Sequence, residues 1–252
     1  DRLEFARADQ GITLTCSEPG LPVDSRNLVY RAATAFLQAT GLQQGVRIHL
    51  EKRIPMAAGL GGGSGNAATA LLGLNELFGH VLPEDQMQAL AGSLGSDVPF
   101  FLQDHPALAS GRGEKIESLP PFACLQGKAF LLIHPGFGIA TAWAYKELAR
   151  FPSALNGKLG RARILVEALA AGDVENSASC FYNSLEAPAL EKYPILALFQ
   201  EFLKEHGALA AMMSGSGSTT FAIAKDLEAA QTLGEKFKAR FGAENWIRSV
   251  PI

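Results

Sequence analysis

Four glycines in five residues, Gly61-Gly62-Gly63-Ser64-Gly65, stand where a strand pattern gives way to a strong helix pattern, and no other stretch constrains the fold as tightly. Upstream, Val46-Arg47-Ile48-His49-Leu50 alternates apolar and polar residues like a half-buried strand, and Pro55 ends the ladder because it has no N–H. Downstream, Ala67, Ala68, Leu71, Leu72 and Leu77 recur at helical spacing, which predicts a helix from Ser64 to Phe78 with Ser64 or Asn66 placed to cap it. Glycines let backbone N–H groups approach a ligand, and the unpaired amides of a helix start favour negative charge. The run Pro55-Met56-Ala57-Ala58-Gly59-Leu60-Gly61-Gly62-Gly63-Ser64-Gly65-Asn66 therefore reads as a phosphate cradle, with a ligand-free tight turn as the alternative.

Common phosphate loops are excluded. The run lacks the Gly-Lys-Ser/Thr ending of a Walker A loop, and no acidic residue closes a dinucleotide-binding βαβ unit. A nucleophile elbow fails too, because Asn66 stands two positions after Ser64 where that motif needs glycine.

Two further segments carry chemistry. Leu94-Gly95-Ser96-Asp97-Val98-Pro99-Phe100-Phe101 follows a helix opened by Pro83 and Glu84, and sets one carboxylate among apolar neighbours. Partial desolvation there would raise the pKa of Asp97 and suit it to take a proton from a hydroxyl; a capping aspartate is the plainer reading of the segment alone. Met213-Ser214-Gly215-Ser216-Gly217-Ser218-Thr219-Thr220-Phe221 is a glycine-serine loop between two strands, either a hairpin connection or a close-approach loop whose hydroxyls donate to anionic oxygens.

Together these residues resemble the GHMP kinases. Pro-x-x-x-Gly-Leu-Gly-Gly-Gly-Ser-x-Asn-Ala-Ala is similar to their central motif in the form carried by the 4-diphosphocytidyl-2-C-methyl-D-erythritol kinase branch, departing at Gly65, where a second serine is usual. The resemblance implies an α+β, two-lobed fold: an ATP-binding, ribosomal-protein-S5-like lobe over residues 1–125 and a ferredoxin-like lobe over 126–252. It places the ATP phosphates on Pro55 to Asn66, adenine beside Asn27 of the Asp24-Ser25-Arg26-Asn27-Leu28-Val29 segment and beside Lys52, and the catalytic aspartate at Asp97. It assigns the substrate to Asp97, to Tyr182 as an aromatic stacking on a cytosine, and to Gly215, Ser216 and Gly217, with a core tyrosine as the other reading of Tyr182. The turn Ala109-Ser110-Gly111-Arg112-Gly113-Glu114 takes a structural role. ATP and Mg²⁺ are the implied cofactors, and no residue is assigned as a metal ligand. The resemblance also implies a preceding segment of a few tens of residues, with a lysine strand and a Tyr-His pair that holds the cytidine.

The substrate expected from the resemblance is a cytidine diphosphate alcohol, phosphorylated on its 2-hydroxyl. The rivals are another GHMP kinase acting on mevalonate-type, homoserine or sugar hydroxyls, and a nucleotide-binding module without catalysis. Composition narrows the partners. A net charge of −3 argues against a general nucleic-acid surface. No apolar run reaches the roughly 18 residues of a membrane span, and no signal-peptide pattern is present. Cys16, Cys124 and Cys180 are too dispersed for a disulfide framework or zinc site, which fits a reducing cytoplasm, and a monomer or weak homodimer is expected. The apolar strand from Ala129 to Ile133 follows a candidate boundary at Pro120-Pro121, and helices are expected at Arg163 to Ala171 and Pro188 to His206. Strand Thr219 to Ala224, helix Asp226 to Phe241 and strand Trp246 to Val250 complete the chain as a β-α-β succession.

Overall fold

The computed structural model describes residues 1–111, 113–155, 160–172 and 174–252. They form two units, Asp1–Ile54 with Gly61–Pro121 and Pro55–Leu60 with Phe122–Ile252.

The first unit runs β1 (Arg2–Ala8), β2 (Ile12–Cys16), α1 (Leu28–Thr40), β3 (Gly45–Glu51), α2 (Gly62–Leu77), α3 (Glu84–Leu94), and the hairpin β4 (Ala107–Ser110) and β5 (Lys115–Ser118). In β3 the alternation read from sequence is realised: Val46, Ile48 and Leu50 are buried while Arg47 and His49 are exposed. That strand is the centre of a three-stranded sheet ordered β1-β3-β2, antiparallel to β1 with Arg2 opposite Glu51 and parallel to β2 with Ile12 opposite Val46. Helix α1 buries Val29, Ala32, Ala33 and Phe36, the i, i+3, i+4, i+7 stripe of a core-facing helix. Helix α2 buries Ala67, Ala68, Leu71 and Leu74, which join the buried face of α1 in one core with Leu14, Ile48 and Leu50.

The second unit runs β6 (Ala129–His134), α4 (Thr141–Leu148), α5 (Pro152–Leu155), α6 (Arg161–Ala170), α7 (Val174–Ser177), α8 (Glu186–Lys192), α9 (Ile195–Glu205), β7 (Ala210–Met213), β8 (Thr220–Ala224), α10 (Leu227–Phe241) and β9 (Trp246–Pro251). Its sheet is ordered β7-β8-β6-β9 with antiparallel neighbours throughout. Because β8 and β9 both oppose β6, they run parallel to each other, and α10 carries the chain past β6 as a split βαβ unit. Leu131, Ile133, Leu196, Leu203, Met213 and Phe237 form its core.

Three differences from the sequence reading have local causes. The helix expected from Pro188 to His206 is two helices: Pro194 has no N–H to continue a helix, and Tyr193 before it takes φ −128° and ψ 72°. Strand β2, the β4–β5 hairpin and α4 carry too little periodicity to stand out. Finally, Pro55–Leu60 belongs with the second unit although the sequence reading kept residues 1–125 together, because its carbonyls accept hydrogen bonds from residues beyond position 138. Arg112, in the turn between β4 and β5, lies outside the described residues.

Candidate active site

In the first unit, α2 opens at Gly61, whose φ of +65° is the left-handed region that favours glycine. A Cβ there would stand 2.5 Å from the Phe101 ring, so the close approach of that ring also requires glycine. Neither Ser64 nor Asn66 caps the helix, contrary to the sequence reading; no side chain does, and Gly65 N–H is the donor that returns to Gly61 O, at 2.8 Å. The amides ahead of Gly65 at this helix start are thus left with the positive end of the dipole and no competing acidic side chain in the first turn.

A cation stands at the same place. Lys52 Nζ lies 3.5 Å from where a Cβ on Gly62 would be, and it is ion-paired with the Asp1 carboxylate, the two side chains being 8% and 3% exposed. The other ligands of that carboxylate are the N–H groups of Arg53 at 2.7 Å and Ile54 at 2.8 Å and the Asn66 side-chain amide at 2.9 Å. Burial pushes the Lys52 ammonium below the ordinary lysine range, with a smaller opposing contribution from Cys16. Asp1 thereby ties the end of β3 to the first turn of α2. Sequence reading missed it, since nothing in its local pattern marks a residue whose partners lie 51 to 65 positions away.

Asp97 is exposed, between α3 and the short helical turn Pro99–Leu102. Val98 and Pro99 beside it are buried, Val98 in the core of this unit, while Asp97 itself is exposed rather than enclosed by them. Asn27 caps α1: its Oδ1 accepts from Val29 N–H at 2.9 Å and its Nδ2 donates to Pro22 O at 2.7 Å, so both ends of the amide are engaged within the chain.

In the second unit, Pro55–Leu60 is held against the glycine-serine loop. Thr219 N–H donates to Ala58 O at 3.0 Å, Ser214 Oγ to Gly59 O at 2.8 Å, and Ile139 N–H to Ala57 O at 3.3 Å. Gly59 has φ +75°, and a Cβ on it would lie 2.1 Å from Ser214 O. In the close-approach reading of this loop its hydroxyls are free to donate to anionic oxygens. Two of them donate to backbone instead, Ser214 to Gly59 O and Ser218 to Phe137 O, while Ser216 Oγ pairs with Thr141 Oγ1 at 3.0 Å. Tyr182 is 41% exposed rather than a core residue; its hydroxyl donates to Ala154 O at 3.1 Å, and the Arg161 guanidinium carbon lies 4.5 Å from its ring centroid. Among the described residues, no three His, Cys, Asp or Glu side chains are grouped to hold a metal, and no helix is long and apolar enough to cross a membrane.

Comparison with known proteins places this arrangement. The profile described as GHMP kinases N terminal domain matches residues 27–105, and that described as GHMP kinases C terminal matches residues 165–243. The chain belongs to the GHMP kinases. Within the family, a protein of Pelotomaculum thermopropionicum named 4-diphosphocytidyl-2-C-methyl-D-erythritol kinase is 43% identical over 239 residues, covering 94% of this chain and 81% of its own length. One of the same name from Synechococcus sp. (strain JA-3-3Ab) is 42% identical, covering 91% of this chain and 75% of its own length. A crystal structure of a 4-(cytidine 5'-diphospho)-2C-methyl-D-erythritol kinase matches with a TM-score of 0.79 and 33% identity over 99% of this chain and 85% of that one. A homoserine kinase from Cytophaga hutchinsonii shares the fold, with a TM-score of 0.84 at 23% identity over 99% of this chain and 85% of that one. The residues of this GHMP kinase matched by the N-terminal profile thus lie in the first unit except for Pro55–Leu60, which belongs to the second, and all those matched by the C-terminal profile lie in the second.

Proposed function

We propose that this GHMP kinase transfers the γ-phosphoryl group of ATP to the 2-hydroxyl of 4-diphosphocytidyl-2-C-methyl-D-erythritol, in the non-mevalonate route to isoprenoid precursors. The observation that carries the reading is identity of 42–43% with relatives of that name across more than nine-tenths of the chain. The triple glycine followed by Ser64 and Asn66, and the Leu-Gly-Ser-Asp-Val-Pro segment, support it against other GHMP substrates.

In the first unit, the uncapped start of α2 offers backbone N–H groups and the Lys52 ammonium to the ATP phosphates. Such fixed donors stabilise the charge spread over the equatorial oxygens of the moving phosphoryl group. Asp97 takes the proton of the attacking hydroxyl as the new O–P bond forms and the bond to the ADP leaving group breaks. When bound with ATP, Mg²⁺ would supply charge neutralisation at the phosphates. An ion held mainly by phosphate oxygens and water needs one or two carboxylates rather than a protein-only cage, and the exposed Asp97 carboxylate would be the protein group offered to it. In the second unit, Gly215, Ser216 and Gly217 receive the alcohol substrate through backbone groups, and the outer face of the Tyr182 ring stacks on its cytosine.

The test is an assay of the full-length protein with ATP against three alcohols: 4-diphosphocytidyl-2-C-methyl-D-erythritol, mevalonate and homoserine. The expected result is a kcat/KM for the cytidine alcohol at least about a hundredfold above the others, because a polar pocket built for one substrate's hydrogen bonds rejects those lacking them. Equal or higher efficiency with either of the others overturns the assignment.

A further inference from the structure

The glycine-serine loop is held by two residues that have no role in the reading above. Asn183 Oδ1 accepts from Leu185 N–H at 2.9 Å, which fixes the amide so that its two N–H groups point one way. They donate to Met213 O at 2.9 Å and Gly215 O at 2.7 Å. One turn further on, Glu186 Oε1 accepts from Met213 N–H at 2.8 Å and from Gln200 Nε2 at 2.7 Å. Both the N–H and the C=O of Met213, and the carbonyl two residues on, thus end on side chains of the segment that opens α8.

The sheet order explains why these partners are needed. Strand β7 is an edge strand, so polar groups that it turns away from β8 have no neighbouring strand to pair with. At Met213, the last residue of β7, Asn183 and Glu186 stand in for that strand just where the loop begins. The loop in turn grips Ala58 O and Gly59 O through Thr219 N–H and Ser214 Oγ. The chain of hydrogen bonds therefore runs from the α8 turn, through the loop, to the glycine run.

We propose that Asn183 and Glu186 are positioning residues that set the conformation of the Met213–Ser218 loop in which it binds the alcohol substrate. The proposal rests on the reading that Gly215, Ser216 and Gly217 contact that substrate. A residue that merely supports folding lowers the amount of active protein, and so lowers apparent kcat while leaving KM alone. A residue that positions a binding loop raises KM.

Three variants of the full-length protein separate these roles. Asn183→Asp keeps the acceptor for Leu185 N–H but sets a carboxylate against two carbonyl oxygens; Glu186→Ala removes the acceptor for Met213 N–H; Glu186→Gln retains one. The first two should raise the KM for the cytidine alcohol at least about tenfold with kcat changed less than about threefold, as expected for losing one or two hydrogen bonds, and Glu186→Gln should stay within about threefold of the parent. In amide exchange, Ser214 and Gly217 should lose protection at least about tenfold in Asn183→Asp and Glu186→Ala, with Leu131 and Ile133 of β6 unchanged. An unchanged KM, a fall in kcat alone, or protection lost uniformly, including failure to fold, overturns the proposal. If the parent protein does not turn over this alcohol, the functional reading fails, and the exchange data alone decide whether the two residues anchor the loop.

Discussion

Asp97 and His134 carry opposite consequences of exposure. Asp97 faces solvent beside the buried Val98 and Pro99, so it is free to meet a substrate hydroxyl without first breaking an internal ion pair in the described contacts. Asp97→Asn removes the proton acceptor while keeping size and shape; it should lower kcat by about 10²- to 10⁴-fold and leave ATP affinity by calorimetry nearly intact. Turnover close to the parent's would remove Asp97 from the chemistry. His134 is buried at the end of β6. Its Nδ1 accepts from Gly136 N–H at 3.2 Å, which leaves the ring proton on Nε2, buried and without a hydrogen-bond partner among the described residues. Burial lowers its pKa from 6.5, so the unfolded chain binds a proton over a pH range in which the folded chain does not. The stability linked to this residue is therefore full above about pH 6.5 and is lost as pH falls through the lower, folded value. Melting temperatures should fall between pH 7 and 5 in the parent and fall less steeply in His134→Asn.

Elements in this protein are set by how they begin and end. Helix α1 starts where Asn27 satisfies the Val29 amide and ties itself to Pro22, and it stops at Gly41, left-handed with φ +67°. Asn27→Ala should cost about 1–2 kcal/mol, read as a lower denaturation midpoint, because the cap is buried and both its bonds go at once. Were the loss confined to nucleotide affinity, with the midpoint unchanged, Asn27 would be a ligand contact and not a cap. Helix α2 begins differently, on a glycine with no capping side chain, and that omission is what leaves its first amides available to an anion. The break between α8 and α9 shows the reverse case, in which an apolar pattern reads as one helix until Pro194 withholds an N–H.

Each of the two units has its own buried core. Leu71 and Leu74 of α2 pack with Ile48 and Leu50 in the first, and Leu131 and Ile133 of β6 with Leu196, Leu203 and Phe237 in the second. Leu71→Ala and Leu131→Ala, both fully buried positions, should each cost about 2–5 kcal/mol by chemical denaturation, with amide exchange locating the loss in the unit that carries the substitution. A cost under about 1 kcal/mol at either site would mean that the surrounding side chains collapse into the space. The second unit also reaches back along the chain to include Pro55–Leu60, so the glycine run changes units at Leu60-Gly61.

The strand before the glycine run and the helix after it were legible in the sequence, because each is a local pattern: alternation and helical spacing beside a cluster of residues with unusual backbone freedom. So was the final β-α-β succession, in which the helix expected from Asp226 to Phe241 runs from Leu227 to Phe241 with Asp226 as its N-cap. What only the tertiary structure decided depends on partners distant in the chain. Asp1 joins Lys52 and Asn66 across more than 50 positions, and Asn183 and Glu186 hold Met213 and Gly215 across 27 to 32. Ser214 and Ser218, whose hydroxyls the close-approach reading made possible donors to a ligand, donate to the backbone carbonyls of Gly59 and Phe137. A hydrogen-bonding side chain declares its chemistry in the sequence but not its partner, since the partner is chosen by which strands and turns the two cores bring alongside it.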